Sequence, residues 1–363
     1  MTVDVQAARR LAERTLALVN IPSVSRDEAK VAEAVEAAIP RGTFAERFAN
    51  GEAFFYSTDR RPGRPFALLA GHLDTIPAQD NLPGAIEDGF VVGLGATDMK
   101  GGLAVMLELA AWLDEVRPAR EVDLGLLFFT REELPVEESP LPAVFATCPE
   151  LREVDLAVVL EPTDNTIQAG CLGNLNATLT FRGASAHSAR PWTGQNAIGL
   201  AVEGLYQLTR IPPLPIGVDG LTFIEVVSVT RIAGGIADNV IPDLVTARLN
   251  YRFAPVRTIE EARRNLEDVV GDAGELEITS VSAPGRVAVR SPLVQRLRRA
   301  GELAIEPKQA WTPVAQFSAE GLDAVNLGPG ATAYAHKRDE RVAISELART
   351  YTALQRFLTD PGP

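Results

Sequence analysis

Apolar positions recur at helical spacing over Ala7–Val19 and Ala29–Ile39, so the chain opens with two predicted helices. Glu52–Thr58 and Phe66–Ala70 are short β-rich runs bounded by Gly and Pro, the pattern of strands. Met99–Leu113 reads as a long apolar helix. Val122–Phe129 and Leu156–Leu160 are unbroken apolar runs, as expected of strands covered on both faces. Strands alternating with helices predict an α/β layer around a mainly parallel central sheet.

The pattern changes near Gly173. Leu175–Phe181 alternates apolar and polar positions, which marks a half-buried strand. A helix over Asn196–Leu208, strands near Thr222–Ile232 and Leu244–Phe253, a helix over Ile259–Val270 and a strand near Leu276–Val281 follow. That β-α-β-β-α-β order is the ferredoxin-like arrangement. Beyond Pro284 the chain returns to helices (Pro292–Ile305, Ser345–Leu358) and an apolar strand, Ala324–Leu327. The expected organisation is therefore a discontinuous α/β domain, 1–174 with 285–363, interrupted by an inserted domain at 175–284.

Composition narrows the function. With 35 Lys and Arg against 48 Asp and Glu, the net charge of −13 argues against nucleic-acid binding, which needs a basic face. Two cysteines, Cys148 and Cys171, cannot build a disulfide scaffold or a thiolate zinc site. A metal site would rest on carboxylates and at most three imidazoles. The first residues show no signal peptide and no run has the length of a membrane span, so a cytoplasmic protein without membrane contact is expected.

Candidate chemistry sits at the ends of the apolar runs. His72 and Asp74 follow the strand at Phe66–Ala70 and, two apart in extended chain, project to one side. A carboxylate there can hold an imidazole's tautomer while the other nitrogen binds a metal. Alone, the pair reads more readily as a loop histidine beside a solvated aspartate. Asp98 lies in the glycine-rich segment 93–102 that opens the long helix. An N-cap explains it plainly, whereas a dinucleotide loop is excluded because Asp98 occupies the third glycine's place. Glu132 and Glu133 follow Val122–Phe129, and adjacent carboxylates there need a cation or a shared proton. Glu161 follows Leu156–Leu160, and His336 stands in a polar loop. Together these groups suggest a dinuclear site with few histidines and many carboxylates.

In order and spacing, His72-x-Asp74, Asp98-Met99-Lys100-Gly101, Glu132-Glu133, Glu161-Pro162 and the late His336 resemble the co-catalytic zinc aminoacylase/carboxypeptidase family. The similarity covers nearly the whole chain. The stretches GHLDTIP, QAGCLGNL, SAHSARPWTGQNAI, NVIPD with LNYRFAP, and NLGPG with AHKRDERV look most like actinobacterial-type enzymes that remove succinate from N-succinyl-LL-2,6-diaminopimelate.

The resemblance implies two Zn²⁺ per subunit, with Co²⁺ or Mn²⁺ also suited to such a site. It implies His72, Asp98 and Glu161 on one cation and Glu133, Asp98 and His336 on the other. Asp98 bridges, Asp74 orients His72, and Glu132 is the general base. It also implies a cis peptide between Asp98 and Met99, and a homodimer formed through the inserted lid domain. His187 from that domain would reach the partner's site to stabilise the oxyanion. Asn239, Arg252 and the Gly328–Gly330 loop match positions that contact substrate, with Gly330 lining the pocket. The implied substrate is a small N-acylated amino acid.

Plainer roles exist for some of these residues. Arg252 could pair with an acid of its own domain, Asn239 suits a turn, and Cys171 suits a small buried side chain. Pro313, Gln316 and Ala331-Thr332 depart from the family pattern, and Gln cannot reproduce a bidentate guanidinium contact. The alternatives are an N-acyl-amino-acid deacylase or dipeptidase of the same chemistry, and a non-catalytic relative that binds metal or ligand.

Overall fold

The computed structural model describes residues 4–361. Helices α1 (Val5–Val19) and α2 (Ala29–Ala37) precede strands β1 (Ala45–Ala49), β2 (Ala53–Ser57) and β3 (Phe66–His72). Short strands β4 (Ala85–Glu87) and β5 (Phe90–Val92) lead to α3 (Gly101–Val116), β6 (Asp123–Phe129), α4 (Leu141–Thr147), β7 (Leu156–Val159) and β8 (Ile167–Cys171). Next come β9 (Gly173–Arg182), β10 (Ala186–His187), α5 (Ala197–Leu208), β11 (Leu214–Val218) and β12 (Leu221–Gly234). They are followed by β13 (Val240–Ile241), β14 (Leu244–Phe253), α6 (Ile259–Val270) and β15 (Glu275–Ser282). The chain closes with α7 (Pro292–Gly301), β16 (Ile305–Lys308), α8 (Val314–Ala319), β17 (Ala324–Asn326), β18 (Arg341–Ala343) and α9 (Ile344–Thr359).

Two compact units result: Met1–Ala169, Ala288–Glu306 and Gln316–Pro363 make one, and Gly170–Val287 with Pro307–Ala315 the other. The second unit thus takes in a segment beyond the continuous span 175–284.

The larger unit is built on an eight-stranded sheet in the order β1-β2-β6-β3-β7-β17-β8-β16. Its centre, β6-β3-β7-β17, is parallel, and antiparallel pairings flank that centre. The sheet is α/β and mixed. Every residue of β3 and β6 is buried, which explains why those segments read as unbroken apolar runs rather than alternating ones. Helix α3 begins hard against the sheet: a Cβ on Gly102 would stand 2.5 Å from the Leu160 carbonyl oxygen. Only glycine allows that approach.

The smaller unit carries a five-stranded antiparallel sheet, β11-β12-β14-β9-β15. β9 and β14 pair without a break from Arg182↔Leu244 to Gly173↔Phe253, and β9 alternates buried and half-buried residues along its length. Its buried side chains, among them Leu175, Leu179 and Phe181, join Ala201 and Leu205 of α5 and Leu266 of α6 in one apolar cluster. Asn196 caps α5 through Ile198 N–H, and Thr258 with Glu261 forms a capping box on α6. The order β9-α5-β12-β14-α6-β15 is ferredoxin-like, with β11 added beside β12.

One helix is shorter than its periodicity predicts. The run expected over 292–305 stops at Gly301, because Glu302 turns left-handed at φ 52° and the chain continues into β16. No helix among the described residues is long and apolar enough to cross a membrane.

Candidate metal centre

Three parallel strands bring the acidic and imidazole groups to one edge of the large sheet. β3 ends on His72, while Glu132 and Glu133 follow β6 and Glu161 follows β7. Crevices in α/β sheets open at these carboxyl ends. Asp98 comes from the segment Ala96–Lys100 before α3, where Asp98 (φ −123°, ψ 91°) and Met99 (φ −132°, ψ 38°) leave helical geometry. The Asp98–Met99 peptide is cis.

His72 Nε2 stands 3.1 Å from Asp98 Oδ1 and 3.8 Å from Glu161 Oε1. The other Asp98 oxygen, Oδ2, is 3.5 Å from His336 Nε2, which in turn is 3.0 Å from Glu133 Oε1. Asp98 therefore turns one oxygen toward each imidazole, an arrangement able to bridge two cations. Potential ligand atoms of His72, Glu132 and Glu161 all lie within 4.8 Å of one another, and so do those of His72, Asp98 and Glu133.

The electrostatics call for positive charge. Burial pushes the Glu132 carboxyl well above the usual range, and the negative charge of Glu161 adds to the effect. Burial opposes a charged His72, but hydrogen bonds to Asp74 and Asp98 outweigh it and raise that imidazole well above its ordinary value. Asp98 and Glu133 raise His336 to about 10. Burial works against an ionised Asp98 as well, yet His336 and His72 hold its carboxyl below the usual range. Both imidazoles thus favour their protonated form beside these carboxylates. The donor set of carboxylate oxygens and imidazole nitrogens fits Zn²⁺, Mn²⁺ or Co²⁺, and the two groupings about His72 fit a dimetal site.

Asp74 is placed to set the position of its neighbours. His72 Nδ1 lies 3.0 Å from the Asp74 carbonyl oxygen and 3.5 Å from Oδ1. The Asp74 carboxylate accepts from Ser25 Oγ at 2.7 Å and from the N–H groups of Glu132 and Glu133 at 3.0 and 3.1 Å. It thereby ties the glutamate pair to the histidine strand. Ser25 gave no signal in the sequence, and Glu340, though inside the stretch AHKRDERV, had no role assigned; it is a buried carboxylate that accepts from Gly95, Thr97 and Asp98 N–H. Burial pushes Glu340 up to about 7 against those three donors.

Gly330 is buried at φ 90°, and a Cβ there would stand 2.6 Å from Thr97 Oγ1. It belongs to the larger unit and abuts the turn that carries Asp98, at the preceding residue Thr97. His187, Asn239 and Arg252 belong to the smaller unit. His187 and Asn239 are exposed and neighbours, since β10 pairs with β13 and Ser188 N–H donates to the Asn239 carbonyl. Arg252 on β14 is half-buried, and among the described residues it makes no ion pair. Its Nε donates to Asn250 Oδ1 at 3.0 Å, while Asn250 Nδ2 donates to Asn174 and Asn176. Cys148 and Cys171 are both free and buried.

Residues 68–360 match the model of peptidase family M20/M25/M40. The chain is 40% identical over 349 residues to a Mycobacterium tuberculosis protein named as a succinyl-diaminopimelate desuccinylase, covering 95% of this chain and 97% of that one. It is 35% identical over 355 residues to the succinyl-diaminopimelate desuccinylase of Corynebacterium glutamicum, covering 95% of each. Among solved structures, Bacillus subtilis YXEP, described as a dinuclear metal-binding peptidase of the M20 family, superposes with a TM-score of 0.70 at 16% identity. That match covers 98% of both chains.

Proposed function

The chain belongs to peptidase family M20/M25/M40, and from that premise we propose that it is a zinc-dependent amide hydrolase that removes succinate from N-succinyl-LL-2,6-diaminopimelate. The observation that carries this reading is the convergence of His72, Asp98, Glu132, Glu133, Glu161 and His336, in a chain similar over 95% of its length to proteins named as desuccinylases. Bound cations would polarise the amide carbonyl and acidify water. His72 and Glu161 would hold one, Glu133 and His336 the other, with Asp98 shared between them. Glu132 accepts the proton of the attacking water and returns it to the leaving amine nitrogen. The products are succinate and LL-2,6-diaminopimelate.

Substrate recognition falls to polar groups outside the metal centre. A half-buried guanidinium is costly without an anion, and Arg252 is offered for a substrate carboxylate, held by the Asn250 relay. Asn239 is a second candidate contact in the smaller unit, and Gly330, which abuts Thr97, is one in the larger. The reading is tested with a panel of succinyl-, acetyl- and peptidyl-amino acids assayed with zinc. The succinyl diamino acid is expected to exceed the others in kcat/KM by at least about 10²-fold, since analogues that leave the site's polar groups unpaired are rejected by up to about 10⁴–10⁵-fold. A preference for acetyl or dipeptide substrates would overturn it in favour of another acyl specificity.

His187 would complete the site by donating to the developing oxyanion in the partner of a homodimer. Two features of the smaller unit support such a dimer. Ile198, Val202 and Tyr206 form an exposed stripe along α5, at 45%, 62% and 54% exposure, where a monomer would place polar side chains. Beside it, β11 covers β12 only from Leu221 to Glu225, so Val226–Gly234 presents a bare edge on that side among the described residues. Val202→Asp should therefore yield monomers in analytical ultracentrifugation and lose most activity. A fully active monomer would argue against both the dimer and action of His187 across it.

A further inference from the structure

Glu340 follows His336 by four residues and is 1% exposed. Its Oε1 accepts from the backbone N–H groups of Thr97 and Asp98, each at 3.0 Å, and its Oε2 from Gly95 N–H at 3.0 Å. The grip continues in the main chain. The Glu340 carbonyl accepts from Gly93 N–H at 2.9 Å, and Thr97 Oγ1 donates to the Arg341 carbonyl at 2.7 Å. A buried carboxylate is unfavourable unless its oxygens are satisfied, and here the satisfying donors are the amides of the turn that carries Asp98. Gly95, at φ 78°, supplies the left-handed bend that points its N–H inward.

The same loop carries His336, itself at φ 61°, whose carbonyl accepts from Gln79 Nε2 while the Lys337 carbonyl accepts from Asn81 Nδ2. Neither Asp98 nor His336 lies on a regular strand or helix that would hold it. We propose that Glu340 is a positioning residue for the metal centre: it clamps the Asp98 turn to the His336 loop, and so keeps the spacing at which Asp98 Oδ2 meets His336 Nε2. The inference rests on the two-metal reading above, and it adds a residue that touches neither metal nor substrate.

Groups that orient metal ligands typically contribute about 10–100-fold in affinity. Glu340→Gln keeps the shape and one acceptor oxygen but turns an NH₂ toward at least one backbone donor. Glu340→Ala removes the clamp. Zn²⁺ affinity, measured by competition with a chromophoric chelator in protein whose fold is checked by circular dichroism, should fall about 10–100-fold in Glu340→Ala and less in Glu340→Gln. At saturating Zn²⁺ the Gln variant should recover kcat. Should Glu340→Ala not fold, Glu340→Gln alone decides the point. Wild-type Zn²⁺ affinity in folded variant protein would overturn the proposal, as would a kcat deficit that persists at saturating metal. Because the affinity measurement uses no substrate, failure of the desuccinylase reading would show in the substrate panel and leave this result legible.

Discussion

Glu132→Gln should lower kcat by about 10²–10⁴-fold, the range supplied by a positioned acid–base group, while the protein keeps its full complement of metal. The carboxylate is suited to the task. Burial and the charge of Glu161 raise it well above an ordinary glutamate, and a more basic carboxylate is a better proton acceptor. Glutamine keeps the size and leaves the Glu132 and Glu133 N–H groups free to donate to Asp74 as before, so the loop should hold its place. KM should change little, since the lost interaction belongs to the transition state. Glu132 also sits in one of the two groupings able to hold an ion, which makes metal stoichiometry the discriminating measurement. Two equivalents of metal with kcat collapsed support the base; one equivalent would make Glu132 a ligand. Turnover within about tenfold of wild type would remove it from the proton transfers altogether.

The residues that announced themselves in the sequence share one property: each lies at the end of an apolar run. His72, Glu132, Glu133 and Glu161 mark where β3, β6 and β7 emerge from the core, and a charge at that boundary is conspicuous. Asp98 was visible through its glycines. His336 had no such marker beyond its polar loop and the scarcity of histidine, and its place on one cation came through the resemblance. Ser25 was silent, and Glu340 stood in the stretch AHKRDERV without a role, because the roles of both are made by tertiary structure alone. Glu340 meets Asp98 across a sequence separation of 242 residues, and nothing local distinguishes it from the solvated acids beside it. Short strands were lost for a related reason. β8 and β11 span five residues each, and β8 carries Gly170 at φ 70° while the mostly exposed β11 carries Pro215 and Gly217, so neither reads as a strand pattern. Periodicity likewise overran α7, whose end is set by the left-handed turn at Glu302.

Chelation of the metal should abolish activity, lower thermal stability and reverse a pH dependence. In metal-free protein His336 is raised to about 10, first by Asp98 and then by Glu133. The folded state therefore binds more protons than the unfolded chain between the ordinary histidine value and about 10. Stability from this ion pair is fully present below about 6.5 and is lost as pH rises through about 10. Metal-free protein should thus melt at progressively lower temperature across that window. Rebinding works with the opposite sign. Coordination needs neutral imidazole, so zinc must displace the protons of His72 and His336, and binding should release about two protons per pair of cations near neutral pH. Calorimetry in two buffers of different ionisation enthalpy measures that number directly. Metal affinity should rise with pH over the same range in which the metal-free protein weakens. At a metal concentration about 100-fold above Kd, each site adds about 2.7 kcal/mol to stability, enough to mask the loss of the His336 ion pair. Zinc binding without proton release, or metal-free melting that is flat from pH about 6.5 to about 10, would show that the imidazoles are not the groups the cations replace.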